Sequence, residues 1–287
     1  MNKTKYMGVV GYVGLGNMGS GIATHLAEAG VRLVVFDLKP AAVAAVVAKG
    51  AKSAASLAEL AAVSDVIIVC VDPQGQVMRV VDELAEFLRP GQTVIIQSSV
   101  SPASVIEMAE VVAKKGVKLY DAPVSGSHED RRNGTLSVLA GATVEGVGAE
   151  TALLESIGRP LYLNALGGGE VAKLANNAIM TVTRLATIES LEFGRAFGVS
   201  EEDLAKAVMI SSGGSWVLDN WEYFDEQLRS GFTLRMSSKQ SKEILETAES
   251  RDVRMRMTEA ALEYSKIIHE ARYARLTNKE QHVPASS

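Results

Sequence analysis

Three groupings of residues in this 287-residue chain have the types and spacing to do chemistry. The first is Gly14-Leu15-Gly16-Asn17-Met18-Gly19, a G-x-G-x-x-G between a strand-like run, Val9–Val13, and a helical pattern over Asn17–Ala29. In that setting Gly14 makes a tight turn, Gly16 lets the backbone approach a diphosphate, and Gly19 lets helix and strand pack closely. The helix start offers N–H groups and a positive dipole end to phosphates. The second grouping is Asp37 at the end of the next strand, 37 − 19 = 18 positions past the last glycine. A carboxylate there accepts hydrogen bonds from the ribose of NAD and repels the 2′-phosphate of NADP, so NAD is expected ahead of NADP. A simple cap for the turn into Pro40 is the competing reading, and Lys39 counts against a sharp preference. The third is Gly169, Lys173 and Asn177, spaced i, i+4, i+8 on one helix face. A lysine can act as base when neutral and as acid when protonated, if its surroundings lower its pKa from ~10.4. On spacing alone, a surface lysine and a polar asparagine on an ordinary amphipathic helix are the better reading.

The elements that must position these residues follow from pattern. Strand-like runs at Val9–Val13, Arg32–Phe36, Val66–Val71, Thr93–Gln97, Lys118–Asp121 and Leu136–Ala140 alternate with helical stretches, which predicts βαβ units and a mostly parallel sheet closed by the last two runs. Ser101 before Pro102 caps a helix that runs to Lys115. After Leu163 the rhythm stops. One long helical pattern covers Glu170–Phe197, Ser200 with Asp203 opens the next helix, and two more lie near Ser237–Ser250 and Met255–Ala274, followed by a polar tail from Thr277. The expected division is residues 1–165, a dinucleotide-binding α/β domain, and 166–287, a helical domain.

Composition narrows the partners. Hydrophobic residues are 47% and charged residues 22%, with a formal net charge of −5, which gives no basic footprint for nucleic acid or anionic lipid. Cys70 is the one cysteine, and the four histidines (His25, His128, His269, His282) are far apart, so no metal site is expected. Val66–Val71 is six apolar residues, against the roughly 18 of a membrane span. A cytoplasmic protein acting on a small molecule is the expectation.

Beyond these readings, three ordered motifs carry a resemblance. Gly14–Gly19, Asp121-Ala122-Pro123-Val124-Ser125-Gly126, and Gly167-x-Gly169-x-x-x-Lys173-x-x-Asn176-Asn177 resemble those of the β-hydroxyacid dehydrogenase family. Ser98-Ser99-Val100-Ser101-Pro102 is similar to its turn beside the nicotinamide, Val71-Asp72-Pro73 to its loop over the cofactor, and Ser212–Trp216 to a segment of its helical domain. The resemblance implies a Rossmann-like N-terminal domain, an all-helical C-terminal domain, a homodimer or homotetramer, and hydride transfer between NAD(P) and a short hydroxy acid.

It also implies roles. Lys173 is the acid–base residue and Asn177 holds it or the substrate oxygen; Ser125, Gly126 and Ser127 hold the substrate carboxylate; Ser99, Val71, Asp72 and Pro73 line the cofactor; Trp216 and Lys239 lie near the substrate. An imine reductase or a catalytically silent cofactor-binding homologue are the alternatives, and Lys173 and Asn177 argue against both. The chain departs from the family in three places, one being that Leu262–Arg275 reads as one helix in place of the family's Gly/Asp-rich ending. Gln240 follows Lys239 where Asp is usual, and Ser127-His128-Glu129-Asp130-Arg131-Arg132 replaces a run of small residues. Arg131 in this charged loop offers a grip on a second anionic group, and hence a substrate larger or more polar than 3-hydroxyisobutyrate; the competing reading, that these side chains point to solvent and pair with one another, is as good for the loop as a whole and better for Arg131 itself.

Overall fold

The computed structural model describes residues 6–230 and 232–280. The first part of the chain runs β1 (Val9–Val13), α1 (Asn17–Glu28), β2 (Arg32–Phe36), α2 (Pro40–Val47), β3 (Lys52–Ser53), α3 (Leu57–Val63), β4 (Val66–Val69), α4 (Gln74–Phe87), β5 (Thr93–Ile96), α5 (Pro102–Ala113) and β6 (Lys118–Asp121). These six strands form one parallel sheet in the order β3-β2-β1-β4-β5-β6. Residues such as Val10, Val35 and Ile68 pack under one face, and Ile67, Val69 and Ile96 under the other, so both faces are apolar and helix-covered. The pairings Val13↔Phe36, Val13↔Val69, Val69↔Ile96 and Ile96↔Asp121 bring five strand ends into line. The chain order reverses between β1 and β4, and ligands of open α/β sheets bind outside the strand ends at such a switch.

The segment after β6 departs from the expectation that Leu136–Ala140 completes this sheet. The chain continues as β7 (Val124–Ser125), α6 (His128–Asn133), β8 (Leu136–Ala140), α7 (Val144–Val147), α8 (Thr151–Ile157) and β9 (Gly158–Tyr162), and β7, β8 and β9 make a separate three-stranded sheet. β8 runs antiparallel to the chain that leaves β6: Leu139 donates its N–H to Pro123 O (2.9 Å) and Gly141 to Asp121 O (2.8 Å). Pro123 can accept in that ladder but not donate, and the strand turns out of the first sheet there.

The rest of the described chain is helical: α9 (Gly168–Ala196), α10 (Glu201–Met209), α11 (Trp216–Asp219), α12 (Trp221–Arg229), α13 (Phe232–Glu249) and α14 (Arg256–Glu280). Ser200 caps α10 by accepting the Asp203 N–H at 3.1 Å. α14 takes in Thr277–Glu280, which the sequence suggested as tail, and residues 281–287, with His282, lie outside the described residues. Two compact units emerge, Met1–Lys173 and Leu174–Ser287, and the dividing point falls inside α9. Leu174, Ala178 and Ile244 form a small apolar core in the second unit. Among the described residues, no helix is long and apolar enough to cross a membrane.

Candidate active site

The aligned strand ends set the loops of the site. Gly14 follows β1 with φ +95°, and a Cβ there would lie 2.3 Å from Cys70 O. A Cβ on Gly19 would lie 2.1 Å from Gly14 O, whereas one on Gly16 would meet nothing within 4 Å. The loop is thus closed on its inner side and open above Gly16, where α1 starts with neither a side-chain cap nor an acidic residue in its first turn. This is the cradle a dinucleotide diphosphate requires, and the residues fit NAD. Leu15 is buried, and Asn17 and Met18 form the first turn.

Asp37 does two jobs that spacing alone could not separate. Its Oδ2 accepts the Leu15 N–H at 2.6 Å and its Oδ1 the Lys39 N–H at 2.8 Å. The carboxylate therefore caps its own turn and ties β2 to the glycine loop. Each oxygen keeps further acceptor capacity for a ribose hydroxyl.

The loop after β4 is pinned to the loop after β5. The Val71 N–H donates to Ser98 Oγ at 2.8 Å, and the Ser101 N–H to Gln74 Oε1 at 2.7 Å. Asp72 and Pro73 are exposed in that loop. Ser99, singled out for the nicotinamide, is exposed, and its buried neighbour Ser98 does the tethering. Ser98 and Gln74 were missed because a hydroxyl and an amide in loops carry no spacing signature.

A second omission is Asp121, at the end of β6 and fully buried. Its Oδ1 accepts the Gly167 N–H and its Oδ2 the Glu170 N–H, both at 2.8 Å. A Cβ on Gly141 would lie 1.9 Å from Oδ1, and one on Gly169 would lie 2.0 Å from Leu139 O and 2.8 Å from Oδ2. Glycine at these positions lets the start of α9 press against β6 and β8 with a carboxylate as its anchor. Burial raises the Asp121 pKa, and the backbone N–H groups hold it back. One turn past Gly169 stands Lys173, whose pKa burial lowers to about 8, with the Glu170 carboxylate pulling the other way. An amine near that value exchanges protons close to neutral pH. Asn177, buried, is one turn further along α9.

Ser125 ends β7, half-buried, and Gly126 follows with φ +150°, where a Cβ would meet Leu136 at 2.7 Å. The charged loop is a helix. Ser127 Oγ accepts the Asp130 N–H at 3.2 Å, and Asp130 Oδ2 accepts the Ser127 N–H at 2.8 Å, a capping box that opens α6. Burial pushes the Asp130 pKa up, but the bonds from Ser127 and Thr135 outweigh it and the net shift is down. α6 carries Arg131 to the first turn of α1, where its Nη1 donates to Asn17 Oδ1 at 3.1 Å and also to Asn17 O. The side chain of His128 lies outside the described residues.

In the second unit, Trp216 is exposed at the start of α11 and meets Phe224 edge-on with ring centres 5.7 Å apart. Lys239 is exposed on α13.

Comparison with known proteins bears on this arrangement. Residues 9–168 match the family described as the NAD binding domain of 6-phosphogluconate dehydrogenase. Residues 167–282 match the NAD-binding region of NADP-dependent 3-hydroxyisobutyrate dehydrogenase. The chain is 35% identical over 215 residues to a 3-hydroxyisobutyrate dehydrogenase of Pseudomonas aeruginosa, covering 73% of this chain and 72% of that one. It is 32% identical over 259 residues to a 2-(hydroxymethyl)glutarate dehydrogenase of Eubacterium barkeri, covering 88% and 86%. Among solved structures, a Mycobacterium tuberculosis 3-hydroxyisobutyrate dehydrogenase with L-serine superposes with a TM-score of 0.82 at 23% identity over 94% of this chain and 99% of that one, a likeness of fold.

Proposed function

The chain belongs to the β-hydroxyacid dehydrogenase family, and on that premise we propose that Lys173 is the general acid and base of its reaction. The protein is an oxidoreductase that transfers hydride between NAD(H) and a hydroxy acid. NAD(H), when bound, supplies the hydride acceptor or donor. The protein's own residues manage the proton and the geometry. In oxidation, Lys173 Nζ takes the hydroxyl proton as the carbinol C–H is lost as hydride and the carbonyl forms. In reduction, the ammonium returns a proton to the new alkoxide. The observation that carries this role is the lowered pKa of Lys173 on a helix whose first turn is fixed by Asp121.

Asn177 orients the lysine or the substrate oxygen from one turn away. Ser125 and Gly126, just past the end of β7, hold the substrate carboxylate through backbone N–H groups and one hydroxyl. The Ser127 hydroxyl is committed to the α6 cap, so its contribution is to set that turn. Trp216 and Lys239 are the contributions expected from residues 166–287, which also form the homodimer or homotetramer contacts; residues 1–165 form the cofactor domain. The cytoplasm is the proposed location. Asp37 favours NAD over NADP.

Turnover settles the reading. The purified protein, given NAD(H) and NADP(H) with a panel of 3-hydroxy acids, their semialdehydes and cyclic imines, is expected to act on an acid–semialdehyde pair with NAD(H). Action on imines alone, or on nothing in the panel, overturns it.

A further inference from the structure

We propose that Arg131 is a second grip on the cofactor diphosphate, delivered to the glycine loop by α6. The proposal rests on the reading that Gly14–Gly19 cradle NAD(H).

From Gly14 to Thr24 the chain carries no charged side chain, so the loop and the first two turns of α1 offer a phosphate neutral donors and a helix dipole but no cation. A dinucleotide diphosphate brings two negative charges. The missing cation comes from 131 − 17 = 114 residues further on. The Arg131 guanidinium stands beside Asn17, the first residue of α1, bonded to its Oδ1 at 3.1 Å and to its backbone oxygen. A guanidinium carries a fixed positive charge and presents its N–H donors in a rigid fork suited to phosphate oxygens.

The placement is built by particular residues. The Ser127–Asp130 capping box starts α6 at a fixed angle. Gly21, one turn after Asn17, leaves room for the arginine stem: a Cβ there would lie 2.6 Å from Arg131 Cδ. The next residue is held as well: Arg132 O accepts from His25 Nδ1 of α1 at 2.8 Å. Two adjacent residues of α6 thus fasten it to α1, and the charge is held in place before any ligand arrives, which lowers the ordering cost of binding. This placement also separates Arg131 from the role its loop suggests, a grip on a second anionic group of the substrate.

The test is direct binding. NADH fluorescence titration of the wild-type protein, Arg131→Met and Arg131→Lys is followed by displacement with ADP-ribose and with adenosine. Arg131→Met keeps an apolar stem over Gly21 and removes the charge. It is expected to weaken NADH and ADP-ribose about tenfold, the scale of one charge-assisted contact, and to leave adenosine unchanged. Arg131→Lys is expected to stay within about threefold of wild type. Rising salt is expected to weaken NADH binding less steeply in Arg131→Met than in wild type. If the Met variant does not fold, Arg131→Gln is measured in its place with the same ligands. Wild-type affinity in either neutral variant overturns the proposal, as does unchanged NADH binding with a raised KM for the acid. A wild-type protein that binds no NADH would instead overturn the cofactor reading on which the proposal rests.

Discussion

Asp121 Oδ2 accepts the backbone N–H of Glu170 at 2.8 Å, and through that bond the last residue of β6 fixes where α9 begins. The other carboxylate oxygen takes the Gly167 N–H, so two donors at the helix start are satisfied by one side chain. Because Lys173 is three residues past Glu170, the height of its amine above the sheet edge depends on this anchor. Asp121 is thereby a positioning residue for Lys173. Asp121→Ala is expected to cost about 1–3 kcal/mol for each buried N–H left without a partner. It is also expected to lower kcat by about 10²-fold, the scale of a misplaced reacting group, with NADH affinity little changed. Asp121→Asn, which keeps one acceptor, should fall between. A variant that loses stability while kcat holds would reduce Asp121 to a purely structural anchor.

Lys173 gives a prediction with a sign. Its pKa of about 8 leaves it largely protonated below that value and neutral above it. Oxidation needs the neutral amine, so kcat/KM for the hydroxy acid should rise with pH through about 8. Reduction needs the ammonium, so its profile should fall through the same region. Glu170 holds the pKa up against burial, and Glu170→Gln should move both inflections to lower pH. Lys173→Met should bind NADH normally and lose at least about 10² in kcat in both directions. Profiles that keep their inflections in Lys173→Met would place the titrating group elsewhere.

Asp37 predicts the cofactor preference and its cost. Both of its oxygens already hold backbone N–H groups, of Leu15 and Lys39. Asp37→Ser with Leu38→Arg should therefore shift the NAD-to-NADP ratio of kcat/KM by at least about tenfold, 1.4 kcal/mol, toward NADP. It should also weaken NADH somewhat more than a lost ribose contact alone, since the loop loses its tie to β2. A wild-type protein that prefers NADPH at equal concentration would refute the role given to Asp37.

What the sequence revealed and what it hid divide along physical lines. Local signals survived intact: Ser101 and Ser200 cap their helices, and Gly14–Gly19 open α1 from a strand end. The Ser127–Asp130 box has the same pattern as Ser200–Asp203, yet it reads as loop because the helix it opens is only six residues long and has no apolar stripe. β8 was assigned to the wrong sheet because strand pattern is blind to partner. The roles of Asp121, Gly141 and Ser98 depend on contacts between distant segments, where type and spacing carry no information. Arg131 shows the same gap: its charge was legible, and the direction α6 gives it was not.

Arg272 supplies a prediction for the second unit that is independent of catalysis. Its side chain is 2% exposed, yet it donates to Glu201 at 2.6 and 2.9 Å and to Asp225 at 3.1 and 2.7 Å, and lies 5.1 Å from the centre of the Trp221 ring. Burial works against the charge, and the two carboxylates more than offset it, so its pKa is pushed up and it remains a cation. One guanidinium thus joins α14 to α10 and α12. Removing it takes the guanidinium from Asp225, which is 12% exposed, and both short bonds from Glu201, which keeps Arg275 Nη1 at 3.7 Å. Arg272→Ala should cost about 3–5 kcal/mol, the range for breaking a buried ion pair from one side. Arg272→Lys should recover only part, since an ammonium cannot match two bidentate forks. Removing the carboxylates as well, in Arg272→Met with Glu201→Gln and Asp225→Asn, should be less harmful than Arg272→Ala alone, because no uncompensated charge is left. Urea unfolding of the variants reads the difference directly. A triple variant less stable than Arg272→Ala would mean that the hydrogen-bond geometry, and not the stranded charge, carries the stabilisation.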